Sequence, residues 1–294
     1  VINTEQEGFA HACYVTHGTS ICDIGLRVDD ARAAVARARA LLAEPFEQPT
    51  GPGELRIPAV RGVGGGVIHF IDGASELSRV WDIEFHSLSI PTPTGNTGLV
   101  GIDHLAQTMN YDEMLTWVLF YTSIFETHRA PMVDVVDPAG LVRSQAIENS
   151  SGSLRLTLNG AENHRTLAGR FINESFGSTV QHIAFSTADI FATAKALREN
   201  GFSTLRISPN YYDDLPGRLS LDADLLDRLR ADNVLYDRDD RGEYFQLYGP
   251  TYGDGFFFEI VERRNGYRGY GAANAPFRIA AQRRTLLPAD AARI

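Results

Sequence analysis

The chain alternates between two hydrophobic patterns. Short apolar runs with a period of two residues predict β-strands, and longer stretches with apolar residues every three or four positions predict amphipathic helices. A strand, a polar cap residue and a helix follow one another in this order three times, at residues 21–43, 101–125 and 179–201. In the third stretch Asp189 precedes the helix and Gly201 follows it, as helix caps commonly do. The sequence therefore predicts a repeated unit.

Alignment of the three stretches places Asp23, His104 and His182 at one structural position. The repeat is about 80 residues long, whereas solenoid repeats have periods of roughly 20 to 50 residues, so a few duplicated α+β units are expected. In the second stretch Asn110 is the expected cap. Its helix is expected to present one face formed by Leu115, Val118, Leu119 and Thr122.

Each helix is followed by further strand patterns. Residues 53–72 and 140–160 each contain two alternating runs around a Gly-rich or Ser/Gly turn, and EYFQLYG and GFFFEIVERR flank PTYGDG in the third unit. Each unit is thus expected to be βαβββ, with a sheet curled into a partly open barrel. The third unit also carries an insertion at 208–233, which is expected to be helical and to contribute surface rather than sheet.

A Pro-, Thr- and Gly-rich stretch, IPTPTGNTG, is the clearest linker. It predicts an N-terminal module at 1–90, a linker at 91–100 and a C-terminal module at 101–294 that ends in a closing helix. The predicted fold class is therefore α+β, in two modules.

Composition narrows the class of partner. The 294 residues carry 37 acidic and 27 basic side chains, a formal net charge of −10, which argues against nucleic-acid or anionic-membrane binding and favours a small-molecule ligand. No apolar run approaches the roughly 20 residues needed to cross a bilayer, and the first residues lack the features of a signal peptide, so a cytoplasmic protein is expected. Cys13 and Cys22 are expected to be reduced thiols.

One histidine in each of the last two units has the features of a metal ligand. Imidazole is the commonest metal-ligating side chain, and pseudo-symmetric packing of the units would bring the strands of His104 and His182 side by side. In GFFFEIVERR, alternation places Glu259 on one face with Phe257 and Val261, in an apolar strand where an unpaired carboxylate would be costly. Two histidines and one carboxylate form the facial triad of non-haem Fe(II) oxygenases, which leaves coordination positions open for substrate and O₂.

Two alternatives stand beside this metal site. In a purely structural interpretation, Glu259 pairs with Arg263 or Arg264 and the histidines are packed strand residues. In a second one, the fold serves as a binding or assembly module without turnover. Such a module need not retain three metal ligands, whereas this sequence has all three.

Several stretches resemble one family in order and spacing. TVQHIAFSTADIF, ISPNYYDDL, VLYDRDDRGEYFQLYG, FFFEIVERR and GYGAANAPF are similar to the C-terminal half of 4-hydroxyphenylpyruvate dioxygenase, of the vicinal oxygen chelate superfamily. The resemblance covers nearly the whole chain and is most specific from residue 101 onward. It implies an Fe(II) centre at His104, His182 and Glu259, although the same ligands also accept Co, Mn, Ni, Zn or Mg.

The resemblance also implies substrate-binding residues. These are Ser144, Asn159, Gln181, Gln246 and Tyr270. Polar residues on strands are equally often ordinary solvent-face positions, and this alternative stays open for Ser144 and Asn159. The segment after Gly271 is expected to close the site, and Phe256, Phe258 or their neighbours to form its apolar wall.

Other stretches depart from the dioxygenases. Leu167 stands nearest to where they carry a glutamine, and Tyr248 replaces a phenylalanine, which puts the substrate in question. SLRLTLNGAENHRTLAGRF and YGAANAPFRIAAQ look more like the dioxygenase-like C-terminal domain that bacterial 3-dehydroshikimate dehydratases carry behind a sugar-isomerase-type barrel. The barrel that performs the dehydration would then be absent from this chain. The opening VINTEQEGFAH resembles a middle strand of the family's first unit, so a fragment of a longer protein is expected.

The resemblance therefore implies a non-haem iron dioxygenase-like domain in aromatic (quinate or shikimate) catabolism. Its partners would be a small aromatic or 2-oxo acid and O₂, and a homo-oligomer is compatible with it. One alternative is an authentic 4-hydroxyphenylpyruvate dioxygenase that makes homogentisate. The other is a non-catalytic metal-binding or oligomerisation module.

Overall fold

The computed structural model describes residues 1–87 and 95–285. Its regular elements fall into three groups along the chain. The first group comprises α1 (Gly8–His17), β1 (Asp23–Val28), α2 (Ala31–Ala40), β2 (Pro45–Phe46), β3 (Ala59–Arg61), a 3₁₀ turn (Val63–Gly65), β4 (Val67–Asp72), a second 3₁₀ turn (Glu76–Arg79) and α3 (Val80–Ile83).

The second and third groups carry the longer strands. The second comprises β5 (Leu99–Asn110), α4 (Tyr111–Ile124), β6 (Thr127–Arg129), β7 (Val133–Asp137), β8 (Gly140–Asn149), β9 (Arg155–Ala161) and α5 (Leu167–Glu174). The third comprises β10 (Thr179–Thr187), α6 (Ile190–Glu199), α7 (Pro209–Arg218), α8 (Ala223–Asp232), β11 (Leu235–Arg238), β12 (Glu243–Tyr252), β13 (Phe256–Arg264), a 3₁₀ turn (Ala272–Asn274) and α9 (Ala275–Thr285).

The strands form two sheets among the described residues. The first group builds a four-stranded sheet in the order β1-β4-β3-β2. The other groups share a nine-stranded sheet in the order β11-β12-β13-β10-β5-β9-β8-β6, with β7 paired to β8. β10 pairs antiparallel with β5 and parallel with β13. The predicted α+β class is confirmed, and the first strands of the last two units lie side by side as expected.

Local signals account for several helix ends. The carboxylate of Asp30 accepts a hydrogen bond from the amide of Ala33, and that of Asp189 caps α6 in the same way. Asn110 stands at the N-terminus of α4 but forms no side-chain cap. Its amide donates instead to Glu113 at 2.8 Å.

The face that α4 buries differs from the predicted one. Leu115 and Leu119 expose 62% and 56% of their surface, while the buried side chains of this helix are Met114, Val118, Tyr121 and Ile124. These buried residues are also spaced by three and four, so periodicity fits both faces. The position of the helix on β9 selects between them.

Two further expectations are wrong. The opening strand is not formed, because residues 8–11 begin α1 and residues 1–5 have no regular structure; a strand needs a partner strand, and none of the described strands runs beside them. The insertion at 208–233 is helical as predicted, but it also contributes to the core, since Tyr211, Tyr212 and Leu215 of α7 are buried.

One apolar cluster joins the two sheets. It contains Ile68 and Phe70 from β4 together with Met109, Tyr121 and Ile147 from the second group. The division into modules at 91–100 stays a prediction, and residues 91–94 of it lie outside the described residues, as do residues 286–294 of the predicted C-terminal module. In the described part of the chain, every helix is too short or too polar to cross a membrane.

Candidate metal centre

Three adjacent strands bring His104, His182 and Glu259 together. Ala184 on β10 is paired with His104 on β5 and with Glu259 on β13, and His182 precedes it by two residues on the same face. The side chain of Ala184 is a single methyl group, so the three longer side chains converge beside it. His104, His182 and Glu259 expose 4%, 9% and 2% of their surface. The sheet register thus assembles a buried cluster.

The donor atoms lie close enough to share one cation. His182 Nε2 is 3.3 Å from His104 Nε2 and 3.2 Å from Glu259 Oε2. His104 Nε2 is 3.5 Å from the same carboxylate oxygen. Ligand bonds of about 2.1 Å at angles from about 90° to tetrahedral require donor separations of roughly 3.0 to 3.4 Å. Two of the three separations lie in this range and the third is slightly longer, so a small side-chain adjustment would let the donors bind a single first-row metal ion.

A neighbouring carboxylate fixes the ring of His104. Asp103 lies where the pairing of β5 with β10 shifts register, and its carboxylate accepts a hydrogen bond from Nδ1–H of His104 at 2.8 Å. Arg263 donates to both oxygens of Asp103, at 2.8 and 2.9 Å. With Nδ1 protonated, the lone pair of His104 is on Nε2, which faces Glu259.

A chain of hydrogen bonds leads away from Glu259. The amide nitrogen of Gln246 donates to Glu259 Oε1 at 3.0 Å and to Tyr248 OH at 2.7 Å. The amide oxygen of Gln246 accepts from Asn274 at 2.9 Å, and Asn274 accepts from Tyr211 OH at 3.0 Å. Gln246 therefore uses both donor hydrogens within the protein and orients the carboxylate of Glu259.

Aromatic rings enclose the two histidines. The ring of His182 stacks on Phe257 with centroids 4.7 Å apart, and its buried Nδ1 has no hydrogen-bond partner among the described residues. Tyr270 meets His104 edge-on at 5.5 Å. The apolar side chain that packs on His182 is thus Phe257, a neighbour of the predicted Phe256 and Phe258.

Burial and charge act differently on the three side chains. Burial lowers the pKa of His182 to about 4, so its ring is neutral at pH 7. Burial also tends to lower the pKa of His104, but its bonds with Asp103 and Glu259 raise it above the ordinary value. For Glu259, burial tends to raise the pKa, yet contacts with the two histidines hold it well below its usual range. A buried ionised carboxylate is stable only beside a positive charge, which a metal ion or a protonated histidine can provide.

The arginine pairing considered as an alternative for Glu259 is wrong. Arg263 binds Asp103, and Arg264 forms its ion pair with Glu262. No arginine among the described residues forms an ion pair with Glu259. The histidine nitrogens are thus the nearest partners of this carboxylate.

The other predicted polar residues form a row across the sheet. Ser144 is paired with Asn159, and Asn159 with Thr108. Thr108 donates to the amide oxygen of Gln181 at 2.8 Å. The side chains of Ser144 and Asn159 form no hydrogen bond with any described residue, so their polar atoms are available to a ligand. The row ends beside the cluster, because Gln181 directly precedes His182.

Two adjoining cavities lie along this row. The smaller has a volume of about 50 Å³, and its lining includes His182, Asn159 and Arg278. The larger has a volume of about 330 Å³ and opens between α5, the β12–β13 turn and α9. Leu167 and Gln181 line both cavities, so the two spaces adjoin at these side chains.

Three residues of the site were not predicted from the sequence: Asp103, Arg263 and Arg278. Strand alternation places Asp103 opposite to His104, and only the register shift brings the two side chains together. From the sequence, Arg263 is expected only as a partner of Glu259. Adjacency to a histidine ligand was the available signal for Asp103, since metal-ligating histidines commonly donate to a carboxylate.

Comparison with known proteins places this geometry in a family. Residues 1–86 match the family described as "Hydroxyphenylpyruvate dioxygenase, HPPD, N-terminal", and residues 101–215 match the "Glyoxalase/Bleomycin resistance protein/Dioxygenase superfamily". A 3-dehydroshikimate dehydratase of Pseudomonas aeruginosa is 42% identical over 282 residues, which cover 96% of this chain and 44% of the relative. The chain thus spans less than half the length of that relative.

Relatives of more similar length include 4-hydroxyphenylpyruvate dioxygenases. A 4-hydroxyphenylpyruvate dioxygenase of Pseudomonas aeruginosa is 30% identical over 277 residues, covering 93% of this chain and 77% of the relative. A solved xylose isomerase-like TIM barrel/4-hydroxyphenylpyruvate dioxygenase fusion protein superposes with a TM-score of 0.81 at 39% identity, covering 97% of this chain and 45% of the other. A mutant of 4-hydroxymandelate synthase from Streptomyces coelicolor gives 0.78 at 25% identity, covering 94% and 80%. This chain therefore has the vicinal oxygen chelate fold and belongs to the 4-hydroxyphenylpyruvate dioxygenase family.

Proposed function

We propose that this chain is a dioxygenase-like domain with one Fe(II) centre held by His104, His182 and Glu259. The observation that carries the proposal is the convergence of two imidazole nitrogens and an ionised carboxylate within 4.8 Å of one another in the core. Two imidazoles and one carboxylate suit Fe(II) and leave coordination positions open, although Co, Mn, Ni or Zn also accept these donors.

Bound there, Fe(II) would supply open coordination positions for a 2-oxo acid and O₂, and it would mediate electron transfer from the acid to O₂ in an oxidative decarboxylation. The protein's contribution is orientation. Asp103 holds the ring of His104, Gln246 holds the carboxylate of Glu259, and Phe257 supports His182 and excludes water from that side. The free polar atoms of Ser144 and Asn159 would bind the substrate along the row.

We further propose that the chain is the dioxygenase-like part of a 3-dehydroshikimate dehydratase-type fusion in aromatic catabolism, and that 4-hydroxyphenylpyruvate is a poor substrate. The matched dehydratase and the fusion structure support the first statement, because each continues well beyond the matched region. Leu167 supports the second, because its apolar side chain lines both cavities where the dioxygenases offer an amide.

Elemental analysis of protein purified without added metal tests the centre. One equivalent of divalent metal per chain is expected, and Glu259→Ala should remove it, since two imidazoles alone bind weakly. An oxygen-uptake screen over aromatic 2-oxo acids with the iron-loaded protein then tests turnover. Retention of one equivalent of metal in Glu259→Ala would refute the site.

The same screen separates the alternatives. Homogentisate formed from 4-hydroxyphenylpyruvate at rates ordinary for enzymes, on the order of 1 to 10 per second, would show an authentic dioxygenase. Full metal occupancy without oxygen uptake over any acid in the screen would favour the metal-binding or oligomerisation module. Slow or absent turnover of 4-hydroxyphenylpyruvate together with uptake over another acid is the expected result.

A further inference from the structure

Arg278 is a cation beside the candidate metal centre that has no acidic partner among the described residues. It lies on α9, is half-buried and lines the smaller cavity together with His182, Asn159 and Gln181. No carboxylate of a described residue forms an ion pair with it, and its hydrogen bond within the described chain goes to the amide oxygen of Gln282. Its guanidinium carbon is 5.3 Å from the ring centroid of Phe257. The guanidinium therefore has donors left for a ligand.

The carboxylates of Asp137 and Asp103 already have basic partners. Asp137 lines the same cavity, but its carboxylate accepts from Arg283 at 2.6 Å and from the amide of Leu167 at 3.0 Å. Asp103 is paired with Arg263. None of these carboxylates is therefore available to neutralise Arg278.

The net charge of the metal centre and Arg278 indicates the charge of the ligand. A divalent cation with Glu259 and two neutral imidazoles has one net positive charge, and Arg278 adds a second. Two positive charges in a partly desolvated site are best matched by a ligand with two negative charges. Guanidinium is the side chain that best binds a carboxylate, because its parallel N–H groups match the two oxygens.

We infer that the ligand of this site is a small dicarboxylate. One carboxylate lies at the metal, and the second is bound by Arg278 at the end of the cavity lined by Asn159 and Gln181. The inference rests on the proposed metal centre and narrows its substrate class. His182 and Arg278 both line the smaller cavity, so one short molecule can reach the metal and the guanidinium.

Two acids of equal chain length test it. 2-Oxoglutarate and 2-oxopentanoate have the same 2-oxo acid end, and only the first has a distal carboxylate. Their affinities are measured by titration calorimetry on protein loaded with Zn(II), which does not react with O₂. Arg278→Gln removes the cation, and Arg284→Gln removes an equal charge from an exposed position of the same helix as the matched control.

We expect the unaltered protein to bind 2-oxoglutarate at least about 10-fold more tightly than 2-oxopentanoate, as charge-assisted hydrogen bonds generally allow. Arg278→Gln should abolish this preference by weakening 2-oxoglutarate alone, while Arg284→Gln keeps it. Equal affinity for the two acids in metal-loaded protein, or an unchanged preference in Arg278→Gln, would overturn the dicarboxylate and leave the metal centre standing. Failure of the unaltered protein to retain metal would overturn the metal centre and this inference with it.

Discussion

Both sheets carry a side chain that can bind a metal at the same structural position, but only the nine-stranded sheet buries a cluster of three such side chains. In the four-stranded sheet, Asp23 on β1 stands at the position of His104 and His182, and His69 on the neighbouring β4 binds it at 2.8 Å. These side chains expose 42% and 18% of their surface, and no third donor among the described residues joins them. In the nine-stranded sheet, a third strand adds Glu259 and the cluster is buried.

Cavity size does not follow this difference. A cavity of about 440 Å³ lies beside His69, whereas the one beside His182 measures about 50 Å³. Arginines and glutamates mix in the lining of the larger space, which includes Arg32, Arg39, Arg56, Glu47, Glu54 and Glu84. Convergent buried donors, rather than volume, thus identify the site at which a metal is expected.

The largest expected effect separates the two sheets directly. His182→Ala should abolish stoichiometric metal binding and the thermal stabilisation that metal provides, because two donors remain. Asp23→Asn should leave both unchanged. A metal present at 100 times its dissociation constant stabilises the folded state by about 2.7 kcal/mol, so melting with and without EDTA measures the contrast. Loss of metal from Asp23→Asn would show that the N-terminal sheet also holds a metal.

The next effect concerns how the cluster is oriented. Asp103→Asn removes the carboxylate that fixes the tautomer of His104, and metal affinity should fall by roughly 10- to 100-fold, as for comparable partners of ligating histidines. Competition with a chelator of known affinity measures this change. Asp134→Asn, which breaks an exposed ion pair with Arg143, is the matched control. Equal affinities of the two variants would contradict the orienting role of Asp103.

The third prediction concerns the contact between the two parts of the molecule. Gly64 and Gly65 both have positive φ, +63° and +76°, but a Cβ on Gly64 would overlap the carbonyl oxygen of Ser178, whereas one on Gly65 meets open space. Gly65→Ala should lower the free energy of unfolding by about 1 kcal/mol through backbone strain alone. Gly64→Ala should lower the free energy of unfolding by roughly 1 to 3 kcal/mol more than Gly65→Ala. The added Cβ would overlap the backbone of Ser178, which is held in place because it directly precedes β10. Chemical denaturation compares them, and equal losses would show that this contact adds no stability.

The sequence alone determined the repeated units, the metal-ligand candidates and the family. Alternation along β13 placed Glu259 on the face of Phe257, because alternation depends only on neighbours a few residues apart. Alignment of the repeats paired His104 with His182, because each repeat carries the same local pattern of strand, cap and helix. The resemblance added the polar row, of which the described structure leaves Ser144 and Asn159 free of internal hydrogen bonds.

Tertiary structure decided between local arrangements that the sequence pattern fits equally well. Two faces of α4 satisfy helical spacing, and its packing on β9 buried Met114 rather than Leu115. A register shift between β5 and β10 turned Asp103 towards His104, against simple alternation. The packing of α9 places Arg278 in the lining of the same cavity as His182, although nearly a hundred residues separate them in sequence. Long-range packing sets these contacts, because the energies that choose among the local alternatives arise only when distant elements meet.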